Sequence, residues 1–145
     1  MSRAFVKEGE DRPDEPIERP ISGEPNYVTP SGLAALRASL LAAEKAEDAR
    51  NVRYYRERVE SAVEVDPAGQ PRDRVAFGAA VRTLDERGNA TQVRIVGEDE
   101  ADPAHGTISW LSPHAQALLE KKVGDRAVVR LPHGERLLRI ETIAY

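Results

Sequence analysis

Two apolar stripes at helical spacing, separated by a short polar break, constrain the fold of this chain more than any other feature. Thr29 and Pro30 open the first stripe. Threonine is a good helix cap, and proline fits the first helical position because the N–H it lacks has no intrahelical partner there. Leu33, Leu36, Leu40 and Ala43 then recur every three or four residues, which places them on one face of a helix. The break is Glu44-Lys45-Ala46-Glu47-Asp48. A second stripe, Val52, Tyr55, Val59 and Ala62, lies in a helix expected from about Ala49 to Ala62, at heptad spacing. Matching seams with a tight join predict a short antiparallel α-helical hairpin, or coiled coil, over residues 29–66. Each arm has about 14–17 residues, roughly 21–25 Å at 1.5 Å per residue.

The segment before the hairpin reads differently. Pro13, Pro16, Pro20 and Pro25 alternate with Glu8, Glu10, Asp11, Asp14, Glu15 and Glu18. Such a stretch buries too little apolar surface to offset its ordering entropy, so residues 1–28 are expected to be a disordered acidic tail. Phe5 and Val6 are its one candidate docking point.

Asp66 to Pro71 is a linker, and residues 67–145 form a strand-rich domain. Val75, Phe77, Ala79 and Val81 alternate with small or polar neighbours, as in a strand. Glu86-Arg87-Gly88-Asn89 is a hairpin turn leading to the strand Gln92–Val96. An acidic stretch, Glu98 to Asp102, leads to the strand Thr107–Trp110 and is expected to be a solvated loop. Ser112 caps the next helix, Pro113 occupies its first position, and Gly124 is expected to close it. A final hairpin turns at Pro132-His133-Gly134. In its last strand Leu138 and Ile140 share one face, Ile143 and Tyr145 the other, so a bulge is needed to bring them together. The sum is an antiparallel sheet with one helix across it, making the chain α+β.

Composition excludes several kinds of chemistry. The 145 residues carry a net charge of −4 and no cysteine, so neither a basic nucleic-acid footprint nor a thiolate metal site is present. His105, His114 and His133 have no ligand spacing and are expected to be solvated. No phosphate loop, nucleophile elbow or EF-hand occurs. The expectation is a non-enzymatic binding protein without metal or cofactor. It carries no signal or membrane-spanning run, and a cytoplasmic location follows by default.

Several elements, taken in order, resemble the GreA/GreB family of transcription elongation factors. They are Phe77-Gly78, Arg94-Ile95-Val96-Gly97, Glu100-Ala101-Asp102, Ile108-Ser109, Ser112-Pro113, Ala115, Ala117-Leu118-Leu119, Val123-Gly124-Asp125 and Glu135. Thr29, Gly32, Leu36 and Leu40 look like the start of the family's first helix, and Ala62 with Val65-Asp66 like the end of its second. The resemblance implies an FKBP-like C-terminal domain docking at the rim of the bacterial RNA polymerase secondary channel. Contact with DNA or RNA would be indirect, within the transcription complex. Trp110, Leu111, Ser112 and Pro113 are then the polymerase-binding candidates.

The hairpin departs from the family pattern. The family's tip carries G-D-x-x-E-N-x-x-Y, whose two acids help hold the catalytic magnesium ion of the polymerase. The matching segment here is Ala46-Glu47-Asp48-Ala49-Arg50-Asn51-Val52-Arg53-Tyr54. Asn51 and Tyr54 agree, Glu47 stands in for the aspartate, and Arg50 replaces the glutamate. Each arm is also shorter by about two heptads, roughly 20 Å of reach. In this the chain is similar to Rnk, a short-armed relative. Glu47 and Asp48 are the candidate tip acids, with weak or no stimulation of transcript cleavage expected. A competitor that blocks the channel is the alternative. A prolyl isomerase, which would need an aromatic-lined pocket from Phe77, Trp110 and Tyr145, and an unrelated interaction protein are the remote ones.

Overall fold

The computed structural model describes residues 18–145; most of the acidic tail and the Phe5-Val6 docking point lie outside the described residues. Among the described residues the first element is a short strand, β1 (Asn26–Val28). This corrects the expected tail, which was to run through residue 28. Val28 is buried against Leu33 and Leu36. The Asn26 amide is also buried, donating to the Arg58 carbonyl at 2.7 Å and to the Ser61 hydroxyl at 3.2 Å. An apolar contact and a satisfied polar side chain together order this end of the segment.

The two expected helices form, the second ending at Ser61. Helix α1 (Pro30–Lys45) is capped by Thr29, whose hydroxyl accepts from the Gly32 N–H at 3.0 Å. Helix α2 (Ala49–Ser61) is capped by Asp48, which accepts from the Asn51 N–H at 3.2 Å. Between them Glu47 takes the left-handed conformation, φ 55°, which lets three residues reverse the chain. Leu33 and Leu36 pack with Tyr55, Val59 and Ala62. The strand β2 (Ala62–Glu64) then returns to pair in parallel with β1, so the two helices are the crossover of a small β-αα-β unit.

Five strands make the main sheet: β3 (Ala80–Leu84), β4 (Ala90–Val96), β5 (Thr107–Ser109), β6 (Arg126–Leu131) and β7 (Gly134–Ala144), in the order β5-β4-β3-β7-β6. It is curled, with helix α3 (Pro113–Leu118) against it. The core holds Val75, Ala79, Val81, Ile95, Leu118 and Ile140. Three expectations need correction. First, the sheet is mixed, since β5 runs parallel to β4. The chain leaves β4 through two 3-10 turns, Glu98–Glu100 and Pro103–His105, and doubles back so that β5 starts opposite Arg94. Second, ladder pairing starts at Ala80, not Val75. Residues 75–79 curl around Gly78, φ 90°, yet still bury Val75 and Ala79. Third, α3 stops at Leu118 rather than running to Gly124. Glu120 turns left-handed, φ 72°, so that its N–H reaches the Val75 carbonyl while the Val75 N–H reaches Lys121.

The last strand does carry a bulge. Arg82 pairs with Thr142 but Thr83 pairs with Ile140, leaving Glu141 unpaired. The extra residue reverses the side-chain alternation, and Ile140, Ile143 and Tyr145 join one core.

The hairpin is fastened to this sheet through the turn that follows β4. The Glu100 carboxylate accepts from the Thr29 N–H at 3.0 Å, from the Thr29 hydroxyl, and from the Gly97 N–H at 3.1 Å. It therefore sits on the N-terminus of α1, where unpaired N–H groups and the helix dipole favour an anion. Two glycines permit the approach. A Cβ on Gly32 would lie 2.1 Å from the Glu100 carboxyl carbon, and one on Gly97 would lie 2.3 Å from the Tyr27 carbonyl oxygen. Gly32→Ala is expected to lower stability in urea denaturation by about 1–3 kcal/mol by expelling the carboxylate. In a Glu100→Ala background the same change becomes neutral or gains up to roughly 1 kcal/mol, because alanine is the better helix former. Equal losses in both backgrounds would exclude this contact as the cause.

Candidate functional site

The hairpin arm that carries the motif-like residues is held by a buried ionic network. Arg58 is the buried residue of α2, with its side chain 2% exposed. Its Nε donates to Asp99 at 2.7 Å, its Nη2 donates to the Asn26 side-chain oxygen at 2.7 Å, and Glu98 lies 3.6 Å away. The Tyr54 hydroxyl donates to the other Asp99 oxygen. The acidic stretch expected to be solvated is thus the anchor of the hairpin: Asp99 grips α2 and Glu100 grips α1. The physical reason is pairing. A buried guanidinium requires a carboxylate and further acceptors, and the β4–β5 crossover brings them to it.

The tip residues divide. Asp48 uses its carboxylate as a cap, and Asn51 also donates to it from its side chain at 2.6 Å. The backbone hydrogen bond from Asn51, then the side-chain one, hold the Asp48 carboxyl below its usual range. Glu47 is exposed, as is Arg50. Among the described residues, Glu47 stands at the tip without an ion-pair partner, with the exposed Lys45 and Arg50 near it in sequence. Tyr54 faces the sheet domain, not the tip. Burial first, then its bond to Asp99, push its phenol from 10.0 up to about 12.

On the sheet domain, Trp110 packs edge-on against Tyr27, with centroids 5.2 Å apart, and Tyr27 also meets Phe77 at 6.1 Å. Ser112 caps α3, accepting from the Ala115 N–H at 3.2 Å and donating to the Ser109 carbonyl at 2.7 Å. Leu111 is half-buried and Pro113 exposed. The four binding candidates are contiguous, but Trp110 is engaged inside the molecule, Leu111 is half-buried like it, and Pro113 is the exposed one of the four. His114 corrects the expectation of solvated histidines. It is half-buried, and burial, then the nearby Arg136 charge, lower its pKa. His105 is exposed, with Nδ1 2.6 Å from Asp102. The Trp110 Nε1 and His114 Nε2 atoms are shielded from solvent without a partner among the described residues.

Sequence reasoning missed Arg58, Asp99 and Glu100. A signal for Arg58 existed: it stands three residues after Tyr55 and four before Ala62, on the seam face of α2. No local signal marks Asp99 or Glu100, whose partners lie 41 and 71 residues away. An open cleft of about 980 Å³ runs between the hairpin and this turn, bordered by Arg19, Ser31, Ala35, Tyr54, Tyr55 and Arg94.

The described residues thus form a helical hairpin clamped to a curled-sheet domain. The family model for the C-terminal part of the transcription elongation factors GreA/GreB matches residues 70–145. A GreB of Neisseria meningitidis is 40% identical over 97 residues, 66% of this chain and 60% of that protein. A GreB of Pseudomonas syringae is 42% identical over 96 residues, 66% of this chain and 61% of that one. A GreA of Anaeromyxobacter is 44% identical over 88 residues, 60% and 53%. The solved GreA/GreB factor of Nitrosomonas europaea superposes with a TM-score of 0.47 at 23% identity, covering 83% of this chain and 99% of that one. The chain belongs to the GreA/GreB family. Its match spans about 60% of the length of the GreB relatives.

Arg58→Ala is expected to destabilise the protein by about 3–5 kcal/mol, since it strands Asp99. Arg58→Lys should recover only part, because an ammonium cannot reproduce the forked geometry; urea melts of both variants check this. The raised Tyr54 phenol also has a stability consequence. Its folded pKa exceeds its unfolded one, so its contribution is complete below pH 10.0 and is lost as pH rises through about 12. Tyr54→Phe should flatten that segment of the stability–pH curve.

Proposed function

We propose that this chain is an RNA polymerase-binding regulator that docks at the secondary-channel rim through residues 67–145 and stimulates transcript cleavage weakly or not at all. In this reading those residues are an FKBP-like domain, residues 29–66 are a short coiled coil, and any nucleic-acid contact is indirect. The work takes place in the cytoplasm. Family membership supports the partner. The observation that carries the rest is the state of the hairpin tip. Asp48 is committed to capping, Asn51 is tied to it, and Arg50 replaces an acid.

Holding a second magnesium ion takes oxygen ligands at short, near-octahedral distances. A lone Glu47 beside a guanidinium is a poor source of them. The arms, 16 and 13 residues long, are too short to carry it to a distant metal. A deficit of roughly 20 Å exceeds any side chain. These features favour the competitor: a factor that holds the rim and denies the channel to longer-armed relatives. Leu111 and Pro113, beside the start of α3, are the contact residues we assign.

Two measurements test this. Leu111→Asp is expected to weaken binding to core polymerase tenfold or more, about 1.4 kcal/mol, while Glu47→Ala leaves it unchanged; the reverse result would move the contact to the tip. With backtracked elongation complexes, saturating protein should leave cleavage at its basal rate and should suppress cleavage stimulated by a full-length GreB. Stimulation to the GreB level, abolished by Glu47→Ala, would refute the competitor.

A further inference from the structure

We propose that residues 18–25 form a strap that seats Arg19 in a guanidinium site on α2, built from Asn51, Tyr54 and Tyr55, and that this strap covers in the free protein a hairpin face that polymerase engages in addition to Leu111 and Pro113. The second half rests on the polymerase reading above; the first half does not.

The site is built rather than fortuitous. Tyr54 and Tyr55 set their rings at 80°, centroids 5.2 Å apart, forming a corner. The Arg19 guanidinium carbon lies 3.7 Å from the Tyr54 centroid and 5.2 Å from that of Tyr55. Its Nη1 donates to the Asn51 side-chain oxygen at 2.8 Å. A cation over an aromatic face with a planar acceptor at its edge is suited to arginine more than to lysine. The walls are also fixed independently of their occupant. Asp99 holds Tyr54 from behind and Asp48 holds Asn51. The corner therefore exists whether or not Arg19 fills it, and Asp99 adds negative charge beyond the ring. Glu18 extends the docking by pairing with Arg53 at 2.6 Å, although both side chains are exposed and the pair contributes little.

The location gives the site its consequence. Asn51 and Tyr54 are the two residues that agree with the tip motif of the family. On this short hairpin Tyr54 stands beside the sheet domain and Asn51 in the first turn of α2, and a segment of the same chain occupies both. A half-buried cation–π contact and one hydrogen bond to a charged group, less the cost of ordering the segment, hold such a strap by a population ratio of roughly ten to a hundred, tight enough to cover the face and weak enough to release it. A partner needing that face binds in proportion to the open fraction.

The test uses the full chain as wild type, Arg19→Ala and Arg19→Lys. In NMR spectra the ring resonances of Tyr54 and Tyr55 should move in Arg19→Ala and return partway in Arg19→Lys. Adding N-acetyl-arginine amide at millimolar concentration to Arg19→Ala should shift the same two rings. Rings unchanged by Arg19→Ala would overturn the strap. Binding to core polymerase should tighten in Arg19→Ala about tenfold or more. If the wild type binds, Leu111→Asp weakens it, and Arg19→Ala has no effect or weakens it, the covering role is refuted while the polymerase reading stands. If no variant binds polymerase, that reading and the covering role both fall, and the ring resonances alone decide the strap.

Discussion

The structure depends on a pair of adjacent carboxylates. Glu100 lies on the N-terminus of α1, and Asp99 on Arg58 and Tyr54 of α2. Beside them, the packing of Tyr27 on Phe77 and Trp110 also joins the hairpin unit to the sheet domain. Isolated helices of 16 and 13 residues are marginal in water. Their own core is small, with Val28, Leu33 and Leu36 as its buried centre. The acids supply what the apolar seam does not: directional bonds from a neighbouring domain to both arms at once. Gly32 and Gly97 serve that contact, since a side chain on either would separate the surfaces.

Anchoring of this kind changes what the hairpin can do. Tyr54 and Asn51 belong to a motif that the resemblance assigns to a distant tip. Here one bonds the sheet domain and the other bonds the helix cap. With the arms this short, the same residue types serve attachment. At the tip Glu47 and Arg50 are both exposed. A hairpin arranged in this way is better suited to occupying space than to supplying metal ligands.

Local signals were legible wherever the physics is local. Thr29 and Ser112 cap helices because each side-chain oxygen reaches an N–H three residues on; Asp48, read from the sequence as a tip acid, caps α2 in the same way. The bulge in β7 was foreseeable, because Ile140 and Ile143 cannot otherwise share a core. The candidate stretch Trp110 to Pro113 was found in the sequence, but the role of Trp110 was not. Its ring meets Tyr27, a residue of a strand that the proline-rich composition concealed. The end of α3 was misjudged for a similar reason. Gly124 is the obvious local stop, yet the backbone bonds with Val75 end the helix earlier.

The sequence by itself determined the caps, the two helical stripes, the turns and the family, because periodicity and capping act over a few residues. Only the tertiary structure decided that the acidic stretch is an anchor, that β5 runs parallel to β4, and that Arg19 meets Tyr54. Each of these depends on which groups a crossover or a reversal brings together across tens of residues. A carboxylate, unlike an apolar stripe, carries no periodic mark of the partner it will find. Its fate, solvated or buried against Arg58, is fixed by the position of a guanidinium 41 residues away.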